Sequence, residues 1–506
     1  MQTSIQHQHK VSPMKQIAST PQASSVLKGL IALLLLLPSV AVPLYGQKPD
    51  RSEPPELGPP LVLRLPPIER FALSNGVQIL LMEKHEVPLV QVNVLVKTGS
   101  AMDPPGESGL ASMTAAMLDE GAGSRDALQL AEAIDYLGAS ISSSAGQHAT
   151  LIALHTPLSK LDSAVPLLAD IVLRPSFPEK ELDRLRKERL TTLLQWRDEP
   201  RAIASVLFDR VLFGTQHPYG LPSIGSEKTL RAMKVRDLKR FHKTYFRPNN
   251  ATLIVVGDVT KTSVLPMLES AFGDWKRGAA ASVNWPEVAQ VEDRTVYLVD
   301  KPGAAQSEIR IGRIGVSRFT EDYFPILVMN TTLGGSFTSR LNQNLREQHG
   351  YTYGARSVFV MRALPGPFLA TAAVQTEVTD KALREFMKEL KGILRPISDE
   401  ELTRAKNYLA LGYPDNFQSV AQIARQLSEI VVYNLPDDYF NSYIQNVLAV
   451  SKGDVTRVAR EYLDPAKVTI VVVGDRKKIE KSVHDLKLGS LVEMTIEDVL
   501  GKAPKL

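Results

Sequence analysis

Residues 240–258 read RFHKTYFRPNNATLIVVGD, and residues 457–475 read RVAREYLDPAKVTIVVVGD. A shift of 217 residues lays Arg240 over Arg457, Tyr245 over Tyr462, Pro248 over Pro465, Thr252 over Thr469 and Gly257-Asp258 over Gly474-Asp475. In both copies apolar residues recur at helical spacing, a proline-bearing turn stops the helix, and a β-branched run closed by Gly-Asp follows as a strand. A helix-turn-strand unit written twice at this distance implies two lobes of one design.

Working outward, PEKELDRLRKERL from Pro178 echoes ISDEELTRAKNYL from Ile397, with Leu182 over Leu402 and Arg184 over Arg404 at a shift of 220. Its charges fall at helical spacing, so the simplest reading is a solvated helix face with local ion pairs. The stretches 77–82 (VQILLM) and 89–96 (LVQVNVLV) alternate as strands do. The expected fold class is α+β, with two homologous lobes, each a mostly antiparallel sheet with helices packed on it, enclosing a cleft. A cleft between lobes is the default binding site. The expected boundaries are lobes at 61–275 and 291–485, a Gly-, Ala- and Pro-rich linker at 276–290, and a C-terminal tail at 486–506.

The N-terminus reads differently. Scattered lysines precede an apolar run at 30–37, then Pro38 and the small residues Ser39-Val40-Ala41. That run is too short to span a bilayer and reads as an export signal within residues 1–46, cleaved after Ala41 or after Gly46. A Pro-rich, charged spacer follows at 47–60. The expected location is therefore the periplasm or cell envelope, with no stable membrane span once the signal is removed. The formal charge of +4 falls to roughly +1 without Lys10, Lys15 and Lys28 of the signal. So balanced a chain gives no electrostatic reason to expect nucleic acid, whose phosphates call for a concentrated basic face, though it leaves room for local patches. It has no cysteine, hence neither disulfides nor a lipidated N-terminus. The Gly-x-Ser-x-Gly elbow of serine hydrolases is incomplete around Ser108 and Ser112, and no phosphate-cradling loop with its Lys is present.

From about Pro66 to Val473 the chain resembles the insulinase, pitrilysin and mitochondrial-processing-peptidase family. The resemblance rests on GLASMTAAMLDEGAGSRD from Gly109, FGTQHPYGLPSIG from Phe213 and SRLNQNLREQHGYTYGARS from Ser339. It implies a zinc motif, His-x-x-Glu-His, on a helix of the first lobe, with a further Glu ligand about 76 residues on. Two His four apart on a helix can chelate one ion, with the intervening Glu as general base. Laid on this sequence, the three motif positions hold Ser112, Ala115 and Ala116, and the fourth holds Thr192. Alanine has no donor atom and an unactivated hydroxyl is a poor zinc ligand, so this chain is expected to bind no metal. His85, His148, His155, His217, His242, His349 and His484 offer no pair at ligand spacing, and His217 reads as a turn residue.

The resemblance also implies that an Arg and a Tyr seven residues apart in the second lobe bind substrate backbone and stabilise a developing oxyanion. Here they are Arg346 and Tyr353, with Tyr351 an alternative phenol. The plainer alternatives are a surface arginine paired with Glu347 or Asp380 and a half-buried strand tyrosine. Donors lost in one lobe and Arg/Tyr kept in the other imply a non-catalytic subunit of an exported heteromeric zinc peptidase. Its expected partner is a related zinc-binding chain in a heterodimer, its expected substrate a peptide, and the zinc is expected in the partner. The alternative is a stand-alone structural or peptide-binding protein of the same fold.

Overall fold

The computed structural model describes Gly58 and residues 62–279 and 283–505. The expected signal at 1–46, and the spacer at 47–60 apart from Gly58, lie outside the described residues. In the first lobe the strands are β1 (Glu69–Ala72), β2 (Gln78–Glu83), β3 (Leu89–Val96), the short hairpin β4 (Gly121–Ala122) and β5 (Arg125–Asp126), then β6 (Ser140–Ala145), β7 (Thr150–Pro157) and β8 (Ala251–Gly257). The second lobe has β9 (Thr295–Asp300), β10 (Gln306–Ile314), β11 (Thr352–Phe359), β12 (Pro367–Gln375), β13 (Thr469–Gly474) and β14 (Ser490–Thr495).

The first sheet runs β1-β2-β8-β3-β7-β6, antiparallel except for β2 against β8. The second runs β14-β9-β13-β10-β12-β11, antiparallel except where β9 lies parallel to both β13 and β14. The two quoted segments do matching work in them. Helices Val235–Tyr245 and Lys452–Tyr462 bury Leu238 and Phe241 in one case and Val455, Val458 and Ala459 in the other. Each then feeds the strand at the heart of its sheet, β8 or β13. Arg240 pairs with Glu107 and Asp237, and Arg457 with Asp322 and Glu461. Gly257 ends β8 at φ 149°, and a Cβ there would stand 2.3 Å from the Leu89 carbonyl oxygen, which explains the glycine.

One face of each sheet is covered by helices of its own lobe, and the other by a helix of the opposite lobe. Helix Val420–Tyr433, from the second lobe, packs on β3 and β8 and joins Leu427 to Leu95, Ile254 and Val256 in one apolar cluster. Helix Pro200–Phe213, from the first lobe, packs on β10 and β13 and brings Ile203, Leu207 and Phe208 against Ile314, Val471 and Val473. The lobes are interlocked by this exchange. A cavity of about 860 Å³ lies between the first lobe, residues 283–286 and the C-terminal segment from Val499 to Pro504.

Residues 486–506, expected as a tail, are folded from β14 through the short helix Ile496–Leu500, where Val499 is buried. Pairing along β9 supplies the backbone bonds that the weak apolar pattern SLVEMT does not announce. The linker is fastened too, since Trp285 donates from Nε1 to the Ala101 carbonyl at 3.0 Å. Among the described residues no helix is long and apolar enough to cross a membrane.

Candidate functional site

The positions expected to be the erased metal site lie on two neighbouring helices, Leu110–Ala116 and Glu179–Gln195. The first packs Leu110, Ala111, Met113 and Ala115 into the core, leaving Ser112 and Ala116 half-buried. Ser112 donates from Oγ to the Ser223 carbonyl at 2.5 Å. Thr192 turns its hydroxyl back on its own helix, to the Glu188 carbonyl at 3.1 Å.

What joins the two helices is Arg189, one turn before Thr192 on the same face. Its Nη1 donates to Ser112 Oγ at 2.9 Å and reaches the Gly109 and Ile224 carbonyls at 3.4 Å each. Burial pulls this guanidinium down to about 10, against the pull of Asp103 in the other direction. Asp103 caps the same helix, accepting from Gly109 N at 2.8 Å and Ala111 N at 2.7 Å. Burial outweighs those donors and pushes its carboxyl up to about 7. The residues present do not fit zinc: methyl groups stand at two positions, the Ser112 oxygen is bonded, and a fixed cation already lies against it.

The histidines are engaged elsewhere. His85 lies between Glu83 and Asp258, His148 meets the Tyr219 hydroxyl, and His155 meets Gln91. His217 accepts the Tyr219 backbone N–H at 3.1 Å, which holds the turn Pro218–Gly220 as the sequence suggested. Among the described residues no three His, Cys, Asp or Glu side chains are grouped to hold a metal ion.

In the second lobe Arg346 is half-buried and Tyr353 is exposed. Arg346 lies over the Phe337 ring at 4.5 Å from its centroid and pairs with Glu347 at 3.4 Å, one of the two carboxylates expected for it. Phe337 is itself 58% exposed. Tyr353 shares sequence parity with Ala355, Ser357 and Phe359, which point into the core, so plain alternation would bury it. Instead the register of β11 against β12 breaks between Thr352 and Ala355. This bulge turns Tyr353 outward, and it is 91% exposed rather than the half-buried strand tyrosine of the plain alternative. Thr352 holds the bulge through Oγ1, which donates to the Ala373 carbonyl at 2.7 Å and accepts Gly354 N at 3.1 Å. Buried Asn342 ties it to the neighbouring loop, accepting Ala355 N at 3.3 Å and donating to the Phe337 carbonyl at 2.7 Å. Tyr351 is stacked on His349 and less available.

Sequence reasoning missed Arg189, Asp103, Phe337 and Asn342. Arg189 was legible in principle, because it falls three residues before Thr192 and so faces the motif helix. Within the charged run EKELDRLRKERL it was indistinguishable from the solvated arginines around it.

The chain is similar to known proteins over most of its length. Residues 78–213 match the family described as insulinase (peptidase family M16), and residues 232–409 match the peptidase M16 inactive domain. An uncharacterized zinc protease of Bacillus subtilis is 26% identical over 346 residues, 68% of this chain and 82% of that protein. A non-peptidase homolog of Helicobacter pylori is 22% identical over 410 residues, 79% of this chain and 93% of its own length. Among solved structures, a peptidase M16 inactive domain from Pseudomonas fluorescens superposes with a TM-score of 0.76 at 26% identity, covering 80% of this chain and 97% of that one.

Proposed function

Because the chain belongs to the insulinase (M16) peptidase family, we propose that it is a non-catalytic subunit of an exported heteromeric zinc peptidase, presenting Arg346 and Tyr353 to peptide held in a related partner's site. The observation that supports this reading is the β11 bulge, which turns Tyr353 into solvent, while Arg346 of the preceding segment lies over an exposed aromatic ring. A guanidinium and a phenol are both hydrogen-bond donors, and here the phenol stands on a backbone that Thr352 and Asn342 fix. The two donors would grip a peptide carbonyl and strengthen their bonds as negative charge grows on its oxygen. The first lobe of this chain cannot supply the metal chemistry, so the zinc is assigned to the partner. Both sheets end in an edge strand, β6 or β11, whose outer backbone groups can pair with an extended peptide. Export rests on the apolar run at 30–37.

The test is to co-purify the chain from its native cell envelope and ask whether a relative with His-x-x-Glu-His accompanies it. The pair should cleave peptides. Arg346→Ala should lower kcat/KM by roughly 10²–10³, the loss typical of one oxyanion donor, while leaving assembly intact. Unchanged cleavage in Arg346→Ala and Tyr353→Phe pairs would remove the role. A stand-alone peptide-binding protein, the competing reading, predicts no accompanying peptidase and peptide binding by the isolated chain.

A further inference from the structure

The cavity between the first lobe and the C-terminal segment carries an inference independent of Arg346 and Tyr353. At about 860 Å³ it is within the usual size of ligand pockets. Two of the chain's three tryptophans, Trp196 and Trp285, line it together with Leu193, Val206 and Leu221. It adjoins the motif helix, because Asp103 and Ser223 are also on its wall, and these bond the helix end and Ser112. Its remaining side is the segment that follows helix Ile496–Leu500.

That segment is held by first-lobe arginines, and every bond goes to its backbone or to that of the preceding helix. Arg210 donates to the Asp498 and Val499 carbonyls at 3.3 and 2.5 Å, and Arg197 to the Gly501 carbonyl at 2.6 Å. Arg231 donates to the Lys505 carbonyl. Guanidinium-to-carbonyl bonds read a chain's path and not its side chains, so they would accept another peptide on the same path. Residues 501–505 have no regular structure, and Gly501 starts them at φ 75°, a turn only glycine takes without strain.

We propose that this cavity is a binding groove for an extended peptide bearing apolar side chains, and that residues 501–505 act as a strap occupying its rim in cis. The tryptophans would take an apolar side chain, and Arg197 and Arg231 would take the backbone carbonyls that the strap now uses. Displacing the strap exposes the groove. The strap thereby sets the threshold for peptide binding next to the motif helix.

The test compares the full chain, a variant ending after Leu500, and full-length Gly501→Val, which keeps the strap but strains its path. The probe is an acetylated, amidated, fluorescein-labelled hexapeptide of Leu, Phe and Ala, with a Gly/Ser hexapeptide as control. Anisotropy and tryptophan quenching are read together with a thermal melt. The expected result is binding at least about tenfold tighter in both variants than in the full chain, for the apolar peptide only. Arg197→Ala in the shortened variant should weaken it again by roughly tenfold, the worth of one charge-assisted hydrogen bond. The proposal is overturned by equal binding in all three proteins, or by variants that melt like the parent and bind no better. It is equally overturned if the Gly/Ser peptide binds as well as the apolar one.

Discussion

Putting the missing donors back tests what stands in the ion's place. The perturbation is Ser112→His, Ala115→Glu, Ala116→His and Thr192→Glu together, made once with Arg189 kept and once with Arg189→Met. Arg189 Nη1 lies 2.9 Å from Ser112 Oγ, so the guanidinium borders any ion bound through residue 112. A doubly charged ion at a separation of roughly 5 Å is repelled by about 7 kcal/mol at an effective dielectric constant near 20. That is about five decades in Kd. Movement of the arginine that relieved half of this would still leave more than two decades. The assay is elemental analysis after gel filtration, followed by competition with a chromophoric chelator. The chain that keeps Arg189 is expected to emerge nearly metal-free, and the Arg189→Met chain with zinc near one per molecule. Equal zinc affinity in the two, within about tenfold, would refute the assignment of Arg189 as the obstructing cation.

Arg189→Met alone should lower stability by roughly 1–3 kcal/mol in urea unfolding, because it removes a charge-assisted bond between two helices. Phe208, 1% exposed, carries the first lobe's helix into the second lobe's core, so Phe208→Ala should cost roughly 3–5 kcal/mol. Circular dichroism and tryptophan fluorescence should then still report one coincident transition for both lobes. Asp103 has its folded-state pKa raised from 3.8 to about 7, so folding favours its protonated form. Its stabilising contribution is full below about pH 4 and lost as pH rises through 7. The melting temperature should therefore fall between pH 5 and pH 8, and Asp103→Asn should flatten that fall.

The architecture was legible where a local pattern decides it. The doubled helix-turn-strand segments end in β8 and β13, and the alternating stretches at 77–82 and 89–96 supply β2 and β3. The exchange of helices was not legible. An amphipathic pattern in 200–213 or 420–433 states that one face is buried, but not in which lobe the covering sheet lies. The strand at 490–495 was missed for a related reason, since its stability comes from pairing with β9 and only part of one face is covered. At the candidate site, the want of good metal ligands at Ser112, Ala115 and Ala116 was plain from residue type alone. The outward turn of Tyr353 was not, because a one-residue bulge reverses the parity that sequence reasoning counts on.

The two halves of the candidate site also differ in what the fold spends on them. Helix Leu110–Ala116 is positioned by its apolar face, and those contacts do not depend on what stands at 112 or 116. Its persistence therefore needs no metal. The second lobe is the opposite case. Its phenol is almost wholly in water and contributes little burial, yet a buried amide, a threonine hydroxyl and a register break combine to aim it. A bulge forgoes regular ladder bonds, and a buried Asn is costly unless fully partnered. The stability of the sheet does not need Tyr353 outside. Fixing the backbone that carries an exposed donor through buried polar contacts is the support a recognition site needs, and this is the physical reason to look for function at Tyr353.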